Sequence, residues 1–220
     1  WESKTGGKVL AIPHNGNLSN GQMFEEKRYN GEPLTKQWVD SRARWEPLFE
    51  IYQIKGTSEA HPLLSPNDGY ANFGIWDTAN LNGLPKARED LKGEYLREAL
   101  ERGLALQEQF GTNPFKYGMV ASTDTHNGLA TGEKESNFWG KFVADQPGPK
   151  RWDHVMSTDQ DGYKRLGWTQ VAAGITGVWA SENTREGIWD AMQRRETYAS
   201  SGPRISVRFF GGYDFSKQDA

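Results

Sequence analysis

One helix running directly into one buried strand limits this chain more than any other feature. Between Glu94 and Phe110, Leu96, Leu100 and Leu104 recur every fourth residue with Tyr95, Ala99 and Leu106 beside them. That spacing predicts an amphipathic helix stopped at Gly111. Next comes Tyr117-Gly-Met-Val-Ala-Ser-Thr-Asp124-Thr-His126-Asn-Gly128, where Met119-Val-Ala121 suits a central strand and Asn127-Gly128 is turn chemistry. A helix leading into such a strand is an α/β unit, and in folds of that class chemistry collects at the C-terminal ends of the strands. Side chains alternate along a strand, so Asp124 and His126, two apart, leave the same side about 7 Å from one another. A carboxylate and an imidazole so placed are a metal-ligand arrangement. The same spacing also suits an aspartate that only orients the histidine through a hydrogen bond.

Other strand ends carry similar chemistry. Lys8-Val-Leu-Ala-Ile-Pro13 reads as a strand closed by Pro13, with His14 just beyond it in a loop rich in Asn and Gly. Thr35 to Trp45 reads as a helix with Leu34, Trp38, Arg42 and Trp45 on one face, ended by Pro47. Leu48-Phe-Glu-Ile-Tyr-Gln-Ile54 then alternates, placing Leu48, Glu50 and Tyr52 on one face and Phe49 and Ile51 on the other. A carboxylate buried at Glu50 requires a partner, either a cation such as arginine, a cluster of donors or a metal.

The remaining chain reads as follows. Lys55 to Pro85 is a long irregular stretch pinned by Phe73, Ile75 and Trp76, in which Glu59 and His61 form either a second ligand pair or a loop hydrogen-bond network. Ala130 to Gln170 reads as polar loop with Trp139, Phe142 and Trp152 as anchors, and His154 as structural or exposed. Gly174 to Ala180 is a strand leading into a helix capped by Asn183 with Glu186 in capping-box position and running to about Arg195. Glu182 and Arg185 lie at that turn, where they serve substrate contact or capping and a surface ion pair. Ile205 to Phe210 reads as a terminal strand, reached through a Ser-Gly-Arg stretch resembling an anion cradle.

Composition excludes several classes of function. There are no cysteines, so disulfides, thiolate metal sites and cysteine nucleophiles are all absent. The net charge is only -3 with acids and bases interspersed, and nucleic acid is not an expected partner. No apolar run approaches the roughly 20 residues of a membrane span. The chain reads as soluble, without a targeting segment and with no compartment assigned. With 35% hydrophobic content but 9 Trp, 8 Tyr and 10 Phe in 220 residues, one domain with an aromatic-rich core and long loops is expected. Neither a nucleophile elbow nor a nucleotide fingerprint occurs. His14, Glu50, Asp124 and His126 are nitrogen and oxygen donors at three strand ends, the ligand chemistry of a divalent-metal hydrolase.

Ile12-Pro-His-Asn-Gly-Asn17, Phe49 to Glu59, His61 to Asp68, Ser122-Thr-Asp-Thr-His126, Trp179 to Glu186 and Arg195 to Arg204 resemble, in this order, the family called domain of unknown function 3604. That family is similar to the polymerase-and-histidinol-phosphatase (PHP) metallohydrolases. The resemblance implies α/β architecture as part of a distorted β/α barrel, residues 1–220 forming a single partial domain with long irregular loops. It also implies up to three Zn, Mn or Fe ions, with His14, Asp124, His126 and more loosely Glu50 as ligands, and Asp124 and His126 as catalytic. Asn17, Glu59, Asn127, Glu182 and Arg185 are the candidate contacts to a small-molecule substrate, possibly phosphorylated. The His-x-His strand that opens members of the superfamily is not present. The start at Trp1, close to strand-like residues, therefore reads as a fragment whose partners are the remaining N- and C-terminal segments of a parent; a processed mature protein is the alternative. A fragment of this kind is expected to hold metal weakly and turn over little. Two competing functions are a non-catalytic sugar- or anion-binding domain using the Trp-rich loops and Arg204, and a structural fragment of a larger secreted enzyme.

Overall fold

The computed structural model describes residues 1–126, 153–170, 174–209, 211–216 and 218. In chain order its elements are the one-turn helix α1 (Glu2–Thr5), α2 (Lys36–Trp45), β1 (Leu48–Gln53), β2 (Gly56–Thr57), α3 (Leu96–Phe110), β3 (Gly118–Ala121), β4 (Val155–Thr158), β5 (Lys164–Leu166), β6 (Ile175–Val178), α4 (Arg185–Gln193) and β7 (Thr197–Ser200). The anchors Trp139, Phe142 and Trp152 lie outside the described residues.

The helix-to-strand unit forms as the periodicity predicts. Gly111 takes the left-handed conformation (φ 79°) that closes α3, at the position where glycine carries no Cβ penalty. β1 and β3 pair in parallel, with Phe49 opposite Met119 and Glu50 opposite Val120. α3 is thus part of the crossover between two parallel neighbours. Its buried face is Leu96, Ala99, Gly103 and Leu106, and Leu104 is 66% exposed. A strict four-residue repeat overshoots the 3.6-residue turn, so the third leucine has rotated out of the core.

Against that face Phe24, Phe49, Phe115 and Tyr117 pack with Leu96, Ala99 and Leu106. Phe24 meets Phe49 at 5.0 Å and stands edge-on to Phe115 at 5.4 Å between ring centroids. The Arg42 guanidinium lies 4.9 Å from the Phe115 ring centre, which explains how an arginine shares the apolar face of α2. Phe49 and Ile51 therefore face α3. By alternation Glu50 and Tyr52 face the other side of the sheet.

Several predicted elements take a different form. Residues 8–13 are extended without forming a strand, attached by the Ala11 N–H to the Trp45 carbonyl (2.7 Å) and the Glu50 N–H to the Pro13 carbonyl (3.0 Å). Pro13 brings no N–H of its own, and Val9 and Ile12 are exposed, so the segment lies along β1 without a ladder. Residues 205–209 likewise form no strand: the Ile205 and Val207 carbonyls accept from Tyr198 Oη (2.7 Å) and Trp179 Nε1 (2.9 Å). Their place is taken by β7, which pairs antiparallel with β6. The β4–β5 hairpin lies inside a stretch that reads as loop, because its strands are short, polar and largely exposed. α4 is capped one residue later than expected, by Thr184 Oγ1 accepting from the Gly187 N–H (3.1 Å).

No sheet among the described residues closes on itself: the order is β2-β1-β3, with β4–β5 and β6–β7 as separate pairs. The antiparallel β6–β7 pair, joined through α4, borders β3, where Thr176 Oγ1 accepts from the Ala121 N–H (2.9 Å) and donates to its carbonyl (2.7 Å). No described helix is long and apolar enough to cross a membrane.

A backbone contact locks the loop after His14 onto the lead-in to α3. A Cβ at Gly93 would stand 2.2 Å from the Gly21 carbonyl oxygen. Main chain cannot rotate away as a side chain can, so Gly93→Ala is expected to cost about 1–3 kcal/mol. A lower urea midpoint at unchanged slope checks this.

Candidate functional site

Three stretches of chain end on the side of the sheet away from α3. Each is tied to the next. Residues 9–13 deliver His14, β1 carries Glu50 and runs on to Lys55, and β3 leads through Ser122 to Asp124 and His126. Gln53 Nε2 donates to Asn15 Oδ1 (2.7 Å), and Ser122 Oγ donates to Glu50 Oε1. The Ser122 N–H donates to the Tyr52 carbonyl (3.1 Å), and Lys55 Nζ donates to Asp124 Oδ2.

Glu50 is 8% exposed and its hydrogen-bond partner is the Ser122 hydroxyl; none of the arginines bonds to it among the described residues. Burial pushes its carboxyl above the ordinary carboxylate range. The Ser122 hydrogen bond, His14 and Lys55 oppose that rise, and Asp124 adds to it. These electrostatic partners place His14, Lys55 and Asp124 around Glu50.

The Asp-x-His geometry differs from strand alternation. β3 ends at Ala121, and Asp124 takes the left-handed region (φ 49°), so the pair lies on a turn beyond the strand. Aspartate tolerates that conformation better than most residues because its short side chain bonds locally. Asp124 Oδ1 is 4.0 Å from His126 Nδ1, and His126 Nδ1 donates to the Asp124 carbonyl at 3.0 Å. His14 repeats this device, with Nδ1 donating to the Ile12 carbonyl at 3.2 Å. A carbonyl only accepts, so in both rings Nδ1 carries a proton and donates it.

His61 behaves otherwise. Its Nδ1 accepts from the Leu63 N–H (3.2 Å), and its Nε2 donates to Asp77 (3.0 Å) while the ring lies against Tyr95 at 5.2 Å. Both nitrogens serve the loop, and Glu59 turns instead to Arg97 (3.2 Å). The two do not form a ligand pair.

The other candidates are dispersed. Asn17 is 1% exposed, with Nδ2 donating to the Lys55 (3.0 Å) and Trp76 (3.2 Å) carbonyls and Oδ1 accepting from Ser58 Oγ (2.9 Å). Both amide hydrogens are spent on the protein, which makes it a tie between loops. Glu182 and Arg185 are exposed at the start of α4. Asn127 lies outside the described residues.

Two features have no counterpart in the sequence reading. One is the Lys55–Asp124 pair, whose only sequence signal is a lysine at a strand end. The other is a buried ion pair beneath the His14 loop: Lys86 Nζ reaches both Glu94 oxygens (2.8 and 3.0 Å) and the Asn17 carbonyl. Nothing in the local pattern marks it.

Among the described residues no three His, Cys, Asp or Glu side chains come close enough to hold one metal ion. The donors fit a divalent metal in kind, as imidazole Nε2 and carboxylate oxygen, but they stand in pairs without a complete set.

A family model described as Protein of unknown function (DUF3604) matches residues 1–220. No curated protein and no solved structure matches the chain.

Proposed function

The chain belongs to the DUF3604 family, and from that premise we propose that it is a metal-dependent hydrolase acting on phosphoesters. The observation that carries this reading is the matched state of His14 and His126. Each ring is oriented through Nδ1 by a carbonyl two residues back, the backing by which a metal-binding histidine is held with Nε2 as its ligand atom. His14 stands near Glu50, whose carboxyl burial pushes above its ordinary value, and His126 beside Asp124.

A bound divalent ion would polarise the phosphoryl group and lower the pKa of an attacking water. Of the chain's own residues, His14, Asp124 and His126 would supply ligands, with Glu50 in the same shell or exchanging the proton. Lys55 neutralises Asp124 and must give way where that carboxylate takes a metal. The incomplete donor set supports a further part of the proposal, that the remaining ligands come from outside the described residues. The parallel β1–α3–β3 crossover, with the site beyond its strand ends, supports similarity to the PHP superfamily and its distorted β/α barrel.

The test is turnover of p-nitrophenyl phosphate and bis-p-nitrophenyl phosphate by the intact natural protein loaded in turn with Zn²⁺, Mn²⁺ and Fe²⁺. Hydrolysis that EDTA removes is the expected result. Inactivity with every metal on both esters would sink the proposal.

A further inference from the structure

A cavity of about 950 Å³ lies on the opposite, α3-facing side of the sheet, between α3 and the β6–β7 strand pair. Its floor is Ile51, Leu100 and Met119, and Trp179 closes one side. Above the floor the wall is cationic, with four arginines against two glutamates. Arg97 is held by Glu59 (3.2 Å) and Arg194 by Glu196 (2.8 Å). Arg195 is held by neither.

Arg195 is unusual in its backbone as well as its side chain. The C-terminus of α4 is a Schellman motif, with the Glu196 N–H bonded to the Ala191 carbonyl (2.9 Å) and the Arg195 N–H to the Met192 carbonyl (3.1 Å). That motif requires a left-handed residue, normally glycine, and here Arg195 takes it at φ 66°. A strained non-glycine residue persists where its side chain has a use. Yet the Arg195 side chain makes no hydrogen bond or ion pair among the described residues, and its Nε is buried without a partner. A half-buried guanidinium that makes no hydrogen bond among the described residues, over an apolar floor, matches a planar anion carrying an apolar body.

We infer that this cavity binds a small organic carboxylate, its apolar body on Ile51, Leu100 and Met119 and its carboxylate taken by Arg195. The site is separate from the metal reading and independent of it. Binding is therefore measured with EDTA present, so that failure of one leaves the other untouched.

The probes are benzoate, 3-phenylpropionate and decanoate, each against its uncharged amide, by titration calorimetry on the intact protein. At least one carboxylate should bind saturably, and its amide at least tenfold more weakly. Arg195→Gly should weaken that carboxylate at least tenfold while raising the midpoint of thermal unfolding, because glycine rests easily in the left-handed conformation. The rise separates lost binding from lost folding. Equal binding of acid and amide, undiminished binding to Arg195→Gly, or no saturable binding of any carboxylate would each overturn the inference; the last outcome would point to a segment of protein as the occupant.

Discussion

Asp124→Asn is expected to lower phosphoester turnover by about 10²–10⁴-fold, the range for loss of a group acting at the reacting centre. Asparagine is the informative replacement because it tolerates the left-handed backbone that Asp124 adopts (φ 49°), where a β-branched residue would not. It removes the charge that meets Lys55 and would meet a metal, at nearly constant shape. The Lys55–Asp124 pair is only partly exposed, so some stability is lost as well. Kinetics are therefore read well below the variant's own melting temperature. A variant that stays folded and retains full turnover would remove Asp124 from the chemistry.

The second large effect is on stability. Lys86 and Glu94 have 4% and 0% of their side chains exposed, and breaking a buried pair by removing one partner costs about 3–5 kcal/mol. Lys86→Ala is expected to fall in that range, and Lys86→Met with Glu94→Leu to recover much of the loss. Burial pushes the Glu94 carboxyl up and the Lys86 ammonium down, and the attraction between them only partly opposes this. The sign for pH follows. A carboxyl raised in the folded state favours folding below its ordinary value, and that contribution is lost as pH rises through the raised value. With Lys86 gone, Glu94 can neutralise itself only by taking a proton. The Lys86→Ala penalty should therefore be smaller near about pH 5 than near about pH 8, as chemical denaturation at the two values would show. Because Lys86 also holds the Asn17 carbonyl, the variant should loosen the loop that follows His14.

The sequence disclosed elements in proportion to how much apolar face they bury. α2, β1, α3 and β3 lie where periodicity places them, since each packs a regular stripe onto the Phe24–Phe49–Phe115 cluster. The β4 and β5 strands have almost no buried face and leave no periodic trace. Leu104 shows how a repeat that is legible over two turns misleads over three. At the site, the nearness of His14 and Asp124 to Glu50 was legible as strand-end chemistry. The partners that set its electrostatics, Ser122 and Lys55, were not. Ser122 lies 72 residues from Glu50 and Lys55 lies 69 from Asp124, and no local pattern encodes a pairing at that range. Asn17 reads as a candidate contact because it closes the motif Ile12-Pro-His-Asn-Gly-Asn17 that carries the family resemblance, while the neighbouring backbone it ties together is visible only in three dimensions.

The claim that these residues serve a divalent metal is tested most directly by metal content. Elemental analysis of the intact natural protein and of its Asp124→Asn variant, each reconstituted with Zn²⁺ and desalted, should find at least one ion per chain in the first and a clear deficit in the second. Absence of retained metal in the unaltered protein, or equal content in both, would contradict the account.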